Sequence, residues 1–517
     1  MTQVGSDGNS TGSNRAGRTG RVASAVLFAV AVSASGCGVP NVVSNLTGPS
    51  GPPNGTPGYV RGFLGGVAAD EPSAALVGRE VLSAGGTAAD AAVAVGFALA
   101  VTLPSRAGLG GGGACLAYDP ARKGPNKGVP EAVLFVPPAP AHPGAADRPA
   151  AVPMLARGLY LLHSHYGTRR FDSLIAPAEA MARDGVTVSR SLAHDLSIVA
   201  APLAVDPGAR AVFFPGGAPV QEGARLVQPG LSGTLEELRR SGVGDLYQGA
   251  LAHELADAAR DAGAGLTVPD LRDSVARFAP VLEVSAGETK IGFLPPPADG
   301  GLAAAAAFTA LRQAPADLSA AGARAIAVAA RWRQGGGDPR AVLDAAATLP
   351  GASLPALPAS TSFVVIDRGG DAVACALTMN NLFGNGRVAA GTGILFAASP
   401  AVVPPPLLAA ALAWNPRRHA FRAAVGASGQ EGAALAAAVA MQQALGAAVP
   451  AGPVPAPGRA NVIDCPGLLP GEPRTCTWRV DPRGSGLAVG NASGQIAPEK
   501  PALPDNYAPA PGIPTYR

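Results

Sequence analysis

The sequence predicts one large globular unit of the α+β class, with both helices and strands distributed along the chain. Short runs with period-two alternation are joined by glycine-rich turns, and long alanine-rich stretches carry helix-start signals. Hydrophobic residues make up 48% of the chain and charged residues only 15%. This composition supplies ample apolar material for a core.

Helix-start signals and breaks divide the chain into elements. Residues 71–103 form the longest helical stretch, and Gly85-Gly86 followed by Thr87 and Asp90 indicates two helices, because Thr with an acidic residue three positions later is typical of a helix start. Further helices are predicted near residues 156–166, 174–182, 250–262, 302–312, 320–333 and 432–445. Strands are predicted near residues 113–118, 132–135, 361–366, 373–378, 421–425 and 478–480.

The most informative stretch is a hairpin that begins with a hydroxyl group. Ser360 opens the strand at residues 361–366, Gly370 lies in the reversing turn, and the second strand is followed closely by Asn380, with Thr378 at its end. Hydroxyl and amide side chains therefore come close to the point where the first strand begins. In this arrangement a chain can offer its own hydroxyl as a nucleophile.

The segment from Ser360 to Gly384 resembles the start of the small subunit of γ-glutamyltranspeptidases. Residues 85–94 and the glycine run at residues 108–113 resemble two further motifs of that family, in the same order. The similarity extends over roughly residues 62–491. It implies the four-layer αββα sandwich of the N-terminal-nucleophile hydrolases.

In that family, self-cleavage turns the first residue of the small subunit into a new amino terminus that attacks an amide. The resemblance places the cleavage between Ala359 and Ser360, with Ser360 as the nucleophile. It implies a large-subunit-like region at residues 61–359 and a small-subunit-like region at residues 360–492, which stay associated as two chains. The substrate would be a small-molecule amide or a peptide.

The resemblance also implies the remaining site residues. Thr378 occupies the position that supports the nucleophile, and Asn380 occupies a substrate-binding position. Gly429 and Gln430 fall where the family has a Gly-Gly oxyanion hole, which requires backbone N–H groups rather than particular side chains. They can serve if the backbone angles allow a non-glycine residue at position 430.

Thr361 is the alternative nucleophile. Period-two alternation puts Thr361 and Phe363 on one face of the strand and Ser360 and Ser362 on the other, so a one-residue slip changes which hydroxyl faces the site. Counting back from Asp367 favours Ser360.

Several positions depart from the family pattern. Val136 stands where the family has an Arg that binds the substrate's α-carboxylate, and Val cannot make that bidentate pair. Leu408-Ala409 stands in place of a Ser-Ser pair, and the short segment at residues 397–405 has no acidic residue. Function depends on such site residues rather than on the fold.

Three interpretations of function therefore compete. The first is an exported amide hydrolase or acyltransferase of the γ-glutamyltranspeptidase type that uses Ser360. The second is an amidase for a non-glutamyl, apolar acyl group, which Val136, Leu408 and Ala409 favour. The third is a catalytically inactive, lipid-anchored envelope or binding protein on the same scaffold.

The amino terminus predicts export. Arginines precede an apolar run and then Ala34-Ser35-Gly36-Cys37, which is typical of a bacterial signal at residues 1–37 with a lipoprotein site. We expect acylation of Cys37, a flexible linker at residues 38–60 and a periplasmic protein held to the membrane by its lipid. The alternative is a soluble periplasmic protein. Residues 493–517 form a Pro/Ala-rich tail.

The remaining cysteines suggest one disulfide. Cys465 and Cys476 lie in a loop-like stretch and can pair in an oxidising compartment. Cys115 and Cys375 lie in apolar strand-like contexts and are interpreted as buried small hydrophobes.

Composition and motifs exclude several other classes. The net charge of +3 comes with scattered arginines, which argues against nucleic-acid binding. The six histidines show no metal-ligand spacing, so neither a metal nor another cofactor is expected. The glycine run at residues 108–113 lacks the Gly-Lys-Ser/Thr ending of a phosphate-binding loop and is better explained by close backbone packing.

Overall fold

The computed structural model describes residues 63–122 and 127–491 of the 517-residue chain. The predicted signal segment with Cys37, the linker and the Pro/Ala-rich tail lie outside the described residues.

The strands are β1 (Gly65–Ala69), β2 (Gly112–Tyr118), β3 (Glu131–Phe135), β4 (Val186–Thr187), β5 (Arg225–Leu226), β6 (Arg277–Pro280), β7 (Leu282–Ala286), β8 (Thr289–Phe293), β9 (Ser360–Asp367), β10 (Ala372–Thr378), β11 (Ala409–Asn415), β12 (Ala420–Ser428), β13 (Arg459–Leu469), β14 (Thr477–Arg479) and β15 (Leu487–Asn491).

The helices are α1 (Pro72–Ser83), α2 (Ala88–Thr102), α3 (Pro104–Ala107), α4 (Leu155–Tyr166), α5 (Phe171–Asp184), α6 (Arg190–Leu203), α7 (Pro207–Phe213), α8 (Pro229–Ser241), α9 (Asp245–Gln248), α10 (Ala250–Asp261), α11 (Val268–Asp273), α12 (Asp299–Gln313), α13 (Leu318–Gly335), α14 (Pro339–Asp344) and α15 (Ala433–Ala444). Short 3₁₀ helices lie at Ala346–Thr348, Gln430–Gly432 and Pro473–Thr475. In the part of the chain that the structure describes, no helix combines the length and apolarity needed to span a membrane.

Two antiparallel sheets dominate the described residues. The first has the strand order β15-β1-β9-β10-β2-β3-β6, and the second has the order β14-β13-β12-β11-β8-β7. Each sheet takes strands from both sides of the Ala359–Ser360 bond, because β9 pairs with β1 and β11 pairs with β8. A cut at that bond would therefore leave two chains joined by strand pairing.

The side chains of β9 show how the layers are stacked. Phe363 and Val365 pack into a core with α1, α2, α4 and α5, whereas Val364 and Ile366 pack between the two sheets. The outer face of the second sheet is covered by α12, α13 and α15. The layers therefore follow the order helices, sheet, sheet, helices, which is the αββα sandwich expected from the sequence.

The predicted break between the first two helices is confirmed. The Thr87 N–H donates to the Asp90 carboxylate at 3.0 Å, and the Asp90 N–H donates to the Thr87 hydroxyl at 3.1 Å, so that two otherwise unpaired donors at the start of α2 are satisfied. Every residue of α2 is buried, as expected for a helix that is apolar on all sides.

Several strands were not predicted, among them β1, β8, β11 and β13. Strand β11 reads Ala-Ala-Ala-Leu-Ala-Trp-Asn, and an alanine run favours a helix on local propensity. It is a strand because β8 and β12 pair with it on both sides. Tertiary pairing overrides local preference here.

The structure contains two disulfides. Cys465 is bonded to Cys476, the pair suggested by the sequence. The interpretation of Cys115 and Cys375 as free buried thiols is wrong. Both are fully buried, but they lie directly opposite each other on β2 and β10, with their Cα atoms 4.1 Å apart, and are bonded.

Candidate active site

Ser360 is the first residue of β9 and lies opposite Thr378, the last residue of β10. Its side chain is on the same face of the strand as Ser362 and Val364, toward the second sheet. The residue is 1% exposed, and its hydroxyl oxygen has no hydrogen-bond partner among the described residues. A buried hydroxyl without a partner is uncommon and is compatible with a role in chemistry.

Thr378 contacts the peptide bond that precedes Ser360. Its hydroxyl accepts a hydrogen bond from the Asn380 N–H at 2.8 Å and donates to the Ala359 carbonyl oxygen at 3.3 Å. Because the Asn380 N–H can only donate, the Thr378 proton is free to point at the Ala359 carbonyl. This contact polarises the bond at which cleavage is predicted.

Thr361, the alternative nucleophile, is fully buried and lies on the other face of β9. Its hydroxyl donates to the Asp70 carboxylate at 2.9 Å. The register of β9 therefore gives the two hydroxyls different environments. Thr361 is held by a carboxylate, and Ser360 is left without a partner.

Asp70, directly after β1, is the centre of a buried polar network that the sequence analysis missed. Its carboxylate accepts hydrogen bonds from the Thr361 hydroxyl, the Ser362 N–H at 3.0 Å, the Ser428 hydroxyl at 3.3 Å and the Asn461 amide at 2.8 Å. It thus connects β9 of the first sheet with β12 and β13 of the second.

The candidate oxyanion loop follows β12. Gly429 and Gln430 both have positive φ, at 107° and 54°. A Cβ at position 429 would lie 2.3 Å from the Pro457 carbonyl oxygen, so only glycine fits there. At position 430 a glutamine takes the left-handed conformation at a cost of about 1–2 kcal/mol.

This loop lies beside the predicted cleavage point. The Gln430 side chain donates to the Leu357 carbonyl oxygen at 2.9 Å, three residues before Ser360. As the first residue of a 3₁₀ helix, Gln430 has a backbone N–H without a partner inside that helix. This N–H group can bind an oxyanion if a carbonyl is presented to it.

Asn380 occupies the turn after β10, also with a positive φ of 55°. Its side-chain N–H₂ donates to the carbonyl oxygens of Pro137 at 3.3 Å and Ala398 at 3.0 Å. Its side-chain oxygen is buried and has no partner among the described residues. The amide is thus rigidly held and presents one free acceptor.

The positions that depart from the family pattern are apolar in the structure as well. Val136 and Leu408 pack in the core between the sheets, and Ala409 packs on the opposite face against the second helical layer. Arg106 is an unsuitable substitute for the missing Arg, because it is bonded to Asp195 at 2.6 Å. Burial alone would lower the pKa of Arg106, but the hydrogen bond and charge of Asp195, with the charge of Asp70, raise it.

The opposite end of the β9–β10 hairpin carries a second group of carboxylates. The Asp367 carboxylate accepts hydrogen bonds from the backbone N–H groups of Ala88 at 3.0 Å and Gly369 at 2.8 Å. Burial, together with the charges of Asp367 and Asp119, raises the pKa of Asp371 to about 9. This group lies about 23 Å along the strand from Ser360, so it belongs to the turn rather than to the site.

Within the described residues, no group of three or more His, Cys, Asp or Glu side chains is arranged to hold a metal ion. The site therefore consists of Ser360, Thr378 and Asn380 at the end of the first sheet and Gly429–Gln430 at the end of the second. A backbone amide, a hydroxyl donor and a serine hydroxyl are components that acyl transfer requires.

These features define the class of protein as an N-terminal-nucleophile hydrolase fold. The solved structure of a cephalosporin acylase from Bacillus halodurans has the same fold, with a TM-score of 0.66 at 19% identity over 83% of this chain and 96% of that one.

The sequence profile described as Gamma-glutamyltranspeptidase matches residues 74–333, and the chain belongs to that family. It is 29% identical over 383 residues to the glutathione hydrolase proenzyme of Escherichia coli (strain K12). That alignment covers 65% of this chain and 66% of the relative. It is 33% identical over 254 residues to the glutathione hydrolase proenzyme of Bacillus subtilis (strain 168), and this alignment covers 46% of this chain and 43% of the relative. The chain thus spans about two thirds of the first relative and less than half of the second.

Proposed function

We propose that this protein is a self-cleaving amide hydrolase or acyltransferase with Ser360 as its N-terminal nucleophile. The observation that carries the proposal is the contact of the Thr378 hydroxyl with the carbonyl oxygen of Ala359, next to a Ser360 hydroxyl that has no hydrogen-bond partner among the described residues. A hydrogen bond to that oxygen stabilises the negative charge that develops when the carbonyl carbon is attacked.

In the self-cleavage step, the Ser360 oxygen attacks the carbonyl carbon of Ala359. The C–N bond breaks, the nitrogen keeps the electron pair and takes a proton, and an ester links Ala359 to the Ser360 oxygen. Water then hydrolyses the ester, which leaves the Ala359 carboxylate and a free α-amine on Ser360. Thr378 binds the oxyanion of the first step.

In the mature enzyme, the α-amine of Ser360 accepts the proton of the Ser360 hydroxyl, which then attacks the substrate amide. The Gln430 N–H binds the oxyanion, and Asn380 orients the substrate through its free side-chain oxygen. The amine product leaves, and water or an acceptor amine releases the acyl group. The substrate is a small-molecule amide or a peptide.

The glutathione hydrolases among the relatives suggest a γ-glutamyl substrate, and Val136 argues against it. A charge-assisted Arg–carboxylate pair contributes about 1.5–3 kcal/mol, so its absence weakens discrimination for glutamyl by roughly ten- to a hundredfold. We therefore expect poor turnover of γ-glutamyl anilides.

The test is the state of the purified chain. Wild-type protein should split into two chains that remain associated, with the second chain beginning at Ser360, whereas Ser360→Ala should remain intact. Thr361→Ala is the matched control and should still split. A wild-type protein that stays as one chain on intact-mass analysis would support the catalytically inactive scaffold protein instead. A second chain that begins at Thr361 would identify Thr361, rather than Ser360, as the nucleophile.

We also propose that the protein is exported and anchored by a lipid on Cys37. The arginines and apolar run before Cys37 support this, and two disulfides fit an oxidising compartment. Several acyl chains on one cysteine give stable attachment. Cys37→Ser should move the protein from the membrane to the soluble periplasmic fraction. A wild-type protein that is already in the soluble fraction would contradict the lipid anchor and support ordinary secretion instead.

A further inference from the structure

A cavity of about 400 Å³ lies beside the candidate active site. Its walls come from the end of α6, from the loop that follows β10 and from the segment before β11. The apolar side chains that line it include Val199, Pro202, Leu203, Phe383, Val402 and Val403. A cavity of this size with mostly apolar walls suits a small organic group.

The cavity is connected to the catalytic side chains through Asn380. The next residue, Asn381, lines the cavity, and so does Ala398, whose carbonyl oxygen accepts the Asn380 amide at 3.0 Å. Asn381 is only three residues from Thr378, and three residues of extended chain span about 10 Å at most. Because Ser360 lies directly opposite Thr378, the cavity wall at Asn381 is within about 15 Å of Ser360.

The charges around the cavity are also informative. Among the described residues that line the cavity, Asp147 is the only carboxylate, and it is paired with Arg387 at 2.6 Å. Arg148, also at the wall, has no carboxylate partner within ion-pair range among the described residues. The cavity thus offers no free carboxylate for an ammonium group and one unpaired cation that would repel it.

Resting on the proposed function, we propose that this cavity binds the acyl group of the substrate, and that this group is apolar and lacks a free α-amine. In a two-step acyl transfer, the acyl group stays on the nucleophile while the leaving amine exchanges with water or an acceptor. An apolar pocket is useful to the group that stays, because its contacts act in both steps. The leaving side must instead remain open to water.

The proposal predicts how rate depends on acyl length. Each methylene that enters the cavity should raise kcat/KM by about fourfold until the cavity is full. A straight-chain series of acyl p-nitroanilides from acetyl to decanoyl measures this dependence. The matched pair of hexanoyl and norleucyl p-nitroanilide, which differ by one α-amine, measures the effect of the ammonium group, and hexanoyl should be preferred.

Two substitutions of exposed valines test the location. Val402 lines the cavity and is 60% exposed, and Val275 is 67% exposed and does not line it. Val402→Trp should reduce kcat/KM for octanoyl p-nitroanilide at least tenfold and leave acetyl p-nitroanilide almost unchanged. Val275→Trp should keep the wild-type length dependence.

The outcomes separate this inference from the proposed function. If the protein splits at Ser360 and hydrolyses acetyl p-nitroanilide with no dependence on acyl length, the acyl cavity is wrong and the proposed function stands. The same holds if Val402→Trp alters only the dependence on the leaving group. If no splitting and no hydrolysis occur, the proposed function fails and this inference fails with it.

Discussion

The two sides of Ser360 differ in chemistry. On one side, Asp70 gathers the polar groups of Thr361, Ser428 and Asn461 into one hydrogen-bonded network. On the other side, the residues are apolar, with Val136 and the cavity beyond Asn380. The groups around the start of β9 are thus densely hydrogen-bonded, whereas those that line the cavity are mostly apolar.

This difference has a physical reason. The Asp70 carboxylate is partly buried and accepts hydrogen bonds from buried donors, so a change that leaves those donors unpaired is costly. An apolar wall has no such requirement, and a change there alters which group fits without destabilising the fold. The scaffold for making a nucleophile can therefore persist while substrate preference changes.

The largest effect is expected at Thr378, which belongs to the polar side. Thr378→Val removes the donor to the Ala359 carbonyl and should slow self-cleavage by about 10²–10³-fold, the usual cost of one oxyanion donor. Thr378→Ser keeps the hydroxyl and serves as the control. The rate is measured by the appearance of the second chain on mass analysis; equal rates for the Val and Ser variants would contradict the role of the hydroxyl.

Removing the network centre should destabilise the protein. Asp70→Asn loses acceptors for the donors around it and places an amide N–H₂ against that of Asn461, which should lower the free energy of unfolding by about 1–3 kcal/mol. Denaturant unfolding in a Ser360→Ala background, which keeps one chain, measures this. Asp338→Asn, at an exposed helix cap, is the control and should change little. Equal effects of the two substitutions would argue against the network.

A charge on the apolar side should alter substrate preference. Val136→Arg places a guanidinium where the resemblance implies a carboxylate clamp, and we expect kcat/KM for a γ-glutamyl anilide to rise about tenfold relative to hexanoyl p-nitroanilide. Val136→Met controls for side-chain length without charge. A parallel change in both substrates would mean that position 136 does not contact the acyl group.

The smallest effect is expected at Asp371, a carboxyl group that lies far from both sides of Ser360. Asp371 has a pKa of about 9 in the folded protein, because of burial and its neighbouring carboxylates, against about 4 when unfolded. The unfolded state therefore binds fewer protons between these values, and stability falls as pH rises from about 4 to 9. Asp371→Asn should flatten this fall, with a Tm gain on the order of a few degrees at pH 8 and less at pH 5. Self-cleavage should be unchanged, and parallel Tm profiles would contradict the raised pKa.

Local patterns in the sequence were sufficient for the central elements. The turn at Gly370 and the alternation of β9 predicted the hairpin and the face of Ser360, and Thr87 with Asp90 predicted the break between α1 and α2. These features depend on contacts between residues close in the chain, so local spacing reveals them. The γ-glutamyltranspeptidase resemblance added the layer order and the predicted cleavage point.

The network around Asp70, the Cys115–Cys375 bond and the apolar cavity could not be predicted in this way. Asp70 and Thr361 are 291 residues apart, and the two cysteines are 260 residues apart. Only the register of β1 with β9, and of β2 with β10, brings these partners together.

By itself, the sequence determined the β9–β10 hairpin and the break between α1 and α2, because dihedral preferences and side-chain periodicity act over a few residues. The tertiary structure alone decided that Thr361 is held by a carboxylate while the Ser360 hydroxyl has no partner in the described part of the chain, and that a mostly apolar cavity lies beside Asn380. Those properties depend on how distant strands and loops pair and pack, and no local pattern encodes that pairing.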